Sequence, residues 1–166
     1  MDVRRAHTYA ATIDEVLAML RLSDATVEKY QSMGHRDVEI LECSGDDASL
    51  RIESSRVVDV DLPGFAKKVL KPTNTMLQVD QWRATPDGDW AGTFEVDVQG
   101  SPVQLSGTMH LTPDPAGCTE RITVSVTVKI PLIGGKIADW AAKNDVQRSI
   151  DAEFSFGDKW LADHPG

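Results

Sequence analysis

Positive charge is what this sequence most lacks. Its 166 residues carry 17 Lys and Arg against 26 Asp and Glu, a formal net charge of -9. Binding to a phosphate backbone draws on clustered Lys and Arg, so no nucleic-acid partner is expected. The same deficit argues against attachment to anionic membranes, and the acidity reads as a solubilising surface. Long hydrophobic runs are missing too. Nothing approaches the roughly 18 apolar residues of a spanning helix, so no membrane insertion is expected. The opening residues MDVRRAHTYA have charge but no apolar stretch of the kind a secretory signal needs, which makes the cytoplasm the expected location. Cysteine is scarce: Cys43 and Cys118 lie far apart with no C-x-x-C, so two reduced, buried thiols are expected.

Catalytic motifs are equally thin. His7, His35, His110 and His164 are scattered, with no H-E-x-x-H spacing and no Cys–His cluster, so neither metal nor cofactor is expected. G-x-S-x-G, G-x-G-x-x-G and Walker patterns are absent. Gly134-Gly135-Lys136 has a superficial phosphate-binding look, but Ile137 stands where Ser or Thr is required and the upstream glycine is missing. Asp59 and Asp61, two residues apart, read as solvated loop. Of the histidines, only His35, close in sequence to Tyr30, is a candidate acid/base partner.

What is present is a change of period. Val3 to Tyr9 reads as a strand, and Thr12-Ile13-Asp14-Glu15 fits a capping box opening a short helix with Ile13, Val16, Leu17 and Leu20 on one side. Ser23-Asp24 interrupts that pattern and starts a second short helix through Val27 and Tyr30, stopping near Gly34. A twofold alternation then takes over. Strands are expected over about His35 to Cys43, around Leu50 to Val57, over Met76 to Arg83 and over Trp90 to Val98, and two more follow. Turns lie at Ser44 to Asp47, Thr85 to Gly88, Gly100 to Pro102 and Asp114 to Gly117. Val103, Leu105, Gly107, Met109 and Leu111 alternate with polar residues, as do Ile122, Val124, Val126, Val128 and Ile130. One covered and one wet face is the mark of an antiparallel sheet with a single layer packed on it. Pro131 ends the last strand, Gly134-Gly135 makes a corner, and Lys136 to about Ala162 reads as helix, about 40 Å long at 1.5 Å per residue. Between strands, Asp59 to Pro72 is too long for a tight turn and carries Phe65, Val69 and Leu70 at helical spacing; a partly helical flap over one end of the sheet is expected. No repeat or linker divides the chain, so residues 1–166 are expected to form one domain.

The long helix is unusual in its stripe. Ile133, Ile137, Trp140, Ala141 and Asn144 share one side, while Val146, Ile150, Phe154 and Leu161 share another, displaced by about a third of a turn. Either the helix bends near Asn144 or its buried stripe is wide and drifts. On the first alternative the first half would cover a cavity and the second would seal the sheet's far end. Asn144, polar on an apolar stripe, needs a partner: a ligand, a buried water or a backbone carbonyl.

Trp82, Gly100-Ser101-Pro102, Gly107, the corner Pro131-Leu132-Ile133-Gly134-Gly135-Lys136-Ile137 and Trp160-Leu161, taken with the order of elements, resemble the START-related superfamily of helix-grip domains (SRPBCC, polyketide cyclase-like). More narrowly they resemble an actinobacterial branch with no assigned function. The resemblance implies an α+β helix-grip fold: a curved seven-stranded antiparallel sheet, two short helices and a long C-terminal helix, with an apolar cavity between sheet and helix. Candidate lining residues on the strands are Phe94, Val96, Val103, Leu105, Met109, Ile122, Val124 and Val126. Ile137, Trp140 and Asn144 are the candidates on the long helix, and Tyr30 and Trp82 join them, with Trp82 and Trp90 expected at the mouth. The expected partner is an apolar small molecule, lipid-like or polyketide-like, carried or sensed without catalysis. Two alternatives stand beside it: a cyclase- or hydratase-like enzyme on a polyketide-type substrate, which needs an acid/base in the cavity, and an interaction domain with a filled core.

Overall fold

The alternation is realised strand by strand in a computed structural model describing Met1–Gly166. The elements run β1 (Asp2–Tyr9), α1 (Ile13–Leu20), α2 (Ser23–Ser32), β2 (Arg36–Asp46), β3 (Ser49–Asp59), β4 (Thr73–Ala84), β5 (Trp90–Val98), β6 (Val103–Asp114), β7 (Gly117–Val128), α3 (Gly134–Ala141) and α4 (Gln147–Asp163). All seven strands form one antiparallel sheet in the order β1-β7-β6-β5-β4-β3-β2. Strands β2 to β7 are joined as successive neighbours, and β1 returns to pair with β7, Tyr9 opposite Cys118. This is the expected α+β helix-grip architecture. No helix is long and apolar enough to cross a membrane.

Period 2 decides which side chains face inward. On β3 these are Leu50, Ile52, Ser54, Arg56 and Val58, and on β5 Trp90, Phe94, Val96 and Val98. Two glycines let large rings lie across the inner face. Gly92 is opposite Trp82 and Gly107 opposite Phe94, and a Cβ on Gly107 would meet the Phe94 ring at 2.7 Å and collide with the carbonyl of Thr123.

At the N-terminal end of α1 the capping box forms as expected. The Glu15 amide donates to Thr12 Oγ1 and the Thr12 amide donates to Glu15 Oε1, both at 3.2 Å. The hairpin after β2 is tighter than its sequence suggests, because the strand runs on to Asp46 and only Asp47-Ala48 turn. The Asp59 to Pro72 flap differs more. It contains consecutive turns and no regular helix, although the Lys67 and Leu70 amides donate to Pro63 and Ala66 carbonyls in helical fashion. Pro63-Gly64 and Pro72 leave too short a run for a helix to propagate. Packing holds the segment instead: Leu62 and Ala66 are buried against Ile137, with Phe65 and Leu70 beside them.

The drift of the long helix has a single cause. Between α3 and α4 the residues Ala142–Val146 form a π-helical turn, and the Gln147 amide donates to the Ala142 carbonyl, five residues back. One extra residue in the turn delays the phase by about 100°. That brings Ile150, Phe154, Gly157 and Leu161 toward the face already held by Ile137, Ala138 and Ala142. Asn144 falls outside this face. The small residues Ala138 and Ala142 move the buried centre of α3 away from it, so Asn144 is exposed and donates to the Trp140 carbonyl at 2.9 Å. Its partner is the backbone, and it does not face the cavity.

Candidate functional site

Sheet, long helix, α1, α2 and flap enclose a cavity of about 490 Å³. Its exposed lining residues Gly34, Asp59, Lys71 and Arg148 place the mouth between the flap and the start of β2. Val16, Met19 and Leu20 of α1 line it together with Trp82 and Met109, at the other end of the strands. Trp82 therefore lies deep, 3% exposed, and Trp90 is buried beyond it near Arg21. Neither tryptophan forms the mouth. The β4–β5 turn they flank belongs to the end that α1 covers.

One wall is apolar. Phe94, Val96, Val103, Leu105, Met109, Ile122 and Val124 line it from β5, β6 and β7, and Ile137 and Trp140 from α3. Val126 is on the inward parity of β7 but is sealed into the core, 1% exposed, and Tyr30 is equally buried behind the lining. The second half of the helix contributes as well, through Ile150, Phe154 and Phe156. It lines the cavity, whereas the bent-helix alternative had it seal the sheet's far end.

The other wall is polar, and its side chains are connected. Arg56 Nε donates to His35 Nδ1 at 3.1 Å, and Arg56 Nη2 donates to Gln78 Oε1 at 2.8 Å. Gln78 Nε2 passes the chain on to Asp80 Oδ1 at 2.9 Å. Since an arginine only donates, His35 Nδ1 must be the acceptor, which fixes a neutral ring with its proton on Nε2. Burial, then the Arg56 and Lys29 cations, hold the His35 pKa down to about 4. Tyr30 backs this group: its ring stacks on His35 with centroids 5.7 Å apart, and the Arg56 guanidinium lies 4.0 Å from its centroid. Tyr30 and His35 are thus stacked supports for Arg56, not the acid/base pair their sequence proximity suggested.

Toward the α4 side, Lys29, Asp80, Glu120 and Glu153 all face the same space. Burial opposes charge on Lys29 most strongly, but Tyr30, Glu153 and Asp80 more than offset it, so its pKa is raised. Burial raises Asp80, against the pull of Lys29. Glu120 is pushed up to about 7, by burial first and by the neighbouring Glu153 carboxylate second. Tyr9 Oη donates to Glu120 Oε2 at 3.3 Å, and burial with the nearby carboxylates raises the tyrosine well above its ordinary value. A carboxyl group near 7 beside a phenol can give or take a proton at neutral pH. The remaining histidines lie elsewhere. His7 is bonded to Asp158 at 2.8 Å, His110 is half-exposed beside Asp89, and His164 stacks on Trp160.

This polar wall was missed by sequence reasoning, yet its strand members carried a signal. Arg56 shares parity with Leu50 and Ile52, Asp80 with Trp82, and Glu120 with Ile122. A charged residue on an inward parity either faces a cavity or must be paired.

The family described as Protein of unknown function (DUF2505) matches residues 5–161. The chain belongs to this family. An uncharacterized protein of Mycobacterium tuberculosis is 26% identical over 166 residues, covering 98% of this chain and 90% of its own. Among solved structures, TTHA0849 from Thermus thermophilus superposes with a TM-score of 0.67 at 14% identity, covering all of both chains. A STAR-related lipid transfer protein from Xanthomonas axonopodis gives 0.58 at 14% identity, over 93% of this chain and 85% of its own. Norcoclaurine synthase from Thalictrum flavum, in complex with dopamine and hydroxybenzaldehyde, gives 0.57 at 13% identity, over 100% and 88%. At these identities the likeness is one of fold, the helix-grip fold.

Proposed function

We propose that this protein is a one-domain cytoplasmic binder of a mainly apolar small molecule, acting as a carrier or sensor and holding its ligand between sheet and long helix. The cavity itself carries the reading. Protein interiors normally close to crystal-like density, and about 490 Å³ left between an apolar wall and a short polar one is the size and character of a small-molecule site. Helix-grip neighbours that include a lipid transfer protein and an enzyme with bound aromatic compounds support it. The test is native mass spectrometry of the purified protein, followed by titration with the uncharged apolar dye N-phenyl-1-naphthylamine. A co-purifying species or saturable dye binding is expected. An unliganded protein that takes no dye would end the reading in favour of a purely structural domain.

One observation favours a second reading, an enzyme acting on a polyketide-type carbonyl compound. Tyr9, Glu120 and Glu153 place an acid/base group inside the cavity. Its test is turnover of a model carbonyl substrate that disappears in Glu120→Gln while ligand binding persists.

A further inference from the structure

Resting on the ligand-binding reading, the geometry points to the chemical class of the ligand: we infer that it is an uncharged apolar molecule presenting one oxygen acceptor, a ketone or similar carbonyl, to Arg56 Nη1. Arg56 is 6% exposed and lines the cavity. Its Nε and Nη2 are committed to His35 and Gln78, while Nη1 is buried with no protein partner. The other such orphans, Arg5 Nε and Thr85 Oγ1, belong to residues outside the cavity lining. A buried N–H left unmade costs the full desolvation of the group, so a ligand oxygen that reaches it is rewarded well beyond an ordinary exchange with water.

The form of the opening sets the form of the acceptor. A carboxylate is matched best by the two-nitrogen fork of a guanidinium, and the Nε and Nη2 side of that fork is already bonded to His35 and Gln78. The one nitrogen with no partner is Nη1, and a single oxygen is enough to satisfy it. Charge points the same way. Lys29 and Arg56 bring two positive groups to the inner cavity, and Asp80, Glu120 and Glu153 bring three carboxyls. At the mouth, Arg148 is paired with Asp145 and Asp59 with Arg36, each at 2.9 Å, leaving Lys71 at the rim. The inner site therefore offers no net positive charge to an anionic head group, which would be buried beside three carboxyl groups. The tail of the ligand then lies along Val96, Val103, Leu105 and Val124 on the opposite wall.

The experiment compares methyl octyl ketone, decanoate and decene, which share chain length and differ in the head. Binding is read from the fluorescence of Trp82 and Trp140, both in the lining. The ketone is expected to bind about tenfold more tightly than the alkene, with decanoate weaker than the ketone. Arg56→Met should remove most of the ketone's advantage over the alkene. Wild-type ranking alone carries the test if that variant does not fold. Equal binding of ketone and alkene, as would follow if a retained water satisfied Nη1, overturns the inference and leaves the cavity reading intact. Decanoate binding more tightly than the ketone does the same. Failure of all three ligands, together with failure of the dye, removes both.

Discussion

The two walls of the cavity are built by different rules. On β5, β6 and β7 beyond Glu120 the inner face is apolar, and its shape is set by packing: glycines 92 and 107 sit under Trp82 of β4 and Phe94 because the rings need the space a side chain would fill. Around Arg56 of β3, Gln78 and Asp80 of β4, Lys29 of α2 and Glu120 of β7 the inner face is polar, and its shape is set by hydrogen bonds. The Arg56–Gln78–Asp80 chain and the Tyr30 ring hold each other in place. A packed wall tolerates loss of a hydrogen bond and resents added volume. A bonded wall does the opposite, since removing one member strands its partners.

The largest expected effect is on the packed wall. Gly107→Ala puts a methyl group into the Phe94 ring and the Thr123 carbonyl, neither of which can withdraw without moving a strand. A loss of roughly 3 kcal/mol or more in urea unfolding is expected. Gly135→Ala is the control, because a Cβ there meets nothing within 4 Å, and its effect should stay within about 0.5 kcal/mol. Similar losses at the two glycines would mean that packing does not shape this wall.

Next in size is the bonded wall. Arg56→Met keeps much of the volume but leaves His35 Nδ1 and Gln78 Oε1 without their donor, and about 2 kcal/mol should be lost at neutral pH. A second readout separates this from simple repacking. Removing the cation should let the His35 pKa rise from about 4 toward its ordinary value, only partly, because burial is the larger cause of the shift. Imidazole proton chemical shifts followed against pH measure it. An unchanged His35 would show that Arg56 does not govern that ring.

How much of this contrast was legible in the sequence follows from what alternation records. It fixes which residues share a face, so the strands, most of the hairpins and the apolar wall could be read directly. It equally placed Arg56, Asp80 and Glu120 inward, but a charge on an inward parity is easily read as an interruption when the surrounding residues are taken for core. Lys29 and Glu153 gave no such signal. On a helix a long side chain beside a buried Tyr30 or Phe154 can point either way, and only the enclosing sheet decides. The π turn was visible as a displaced stripe near Asn144. The direction of the remedy was not, because it depended on Ala138 and Ala142, whose small side chains weigh little in a hydrophobic pattern while packing closely.

Within the bonded wall, Glu120→Gln should stabilise the protein by roughly 2 kcal/mol at pH 8, the full shift being reduced because the half-buried side chain faces the cavity and is partly screened by solvent. The folded-state pKa of Glu120 is raised to about 7, so its stabilising contribution is complete below about 4.5, its ordinary value, and is lost as pH rises through 7. Glutamine keeps an oxygen for the Tyr9 hydroxyl and removes that loss. At pH 4 the variant and the parent should unfold together. A gain at pH 4 as large as at pH 8 would mean that the carboxylate charge is not what the fold pays for.

The smallest effect belongs to His35 and has the opposite sign. Its folded-state pKa is depressed to about 4 from an ordinary 6.5, so the neutral ring stabilises the fold above 6.5, and this is lost as pH falls toward 4. Solvent reaches part of the ring, and screening reduces the effect to about 1 kcal/mol. The windows of His35 and Glu120 overlap, so their slopes partly cancel between about pH 4.5 and 6.5. His35→Gln retains an acceptor for Arg56 Nε and should uncover the Glu120 slope, making stability fall with rising pH across that window. Glu120→Gln should uncover the His35 slope, making stability rise. Chemical unfolding at pH 4.5, 5.5 and 6.5 distinguishes the two. If both variants kept the parent's profile, the polar wall would be a set of solvated side chains rather than a coupled, ligand-ready surface.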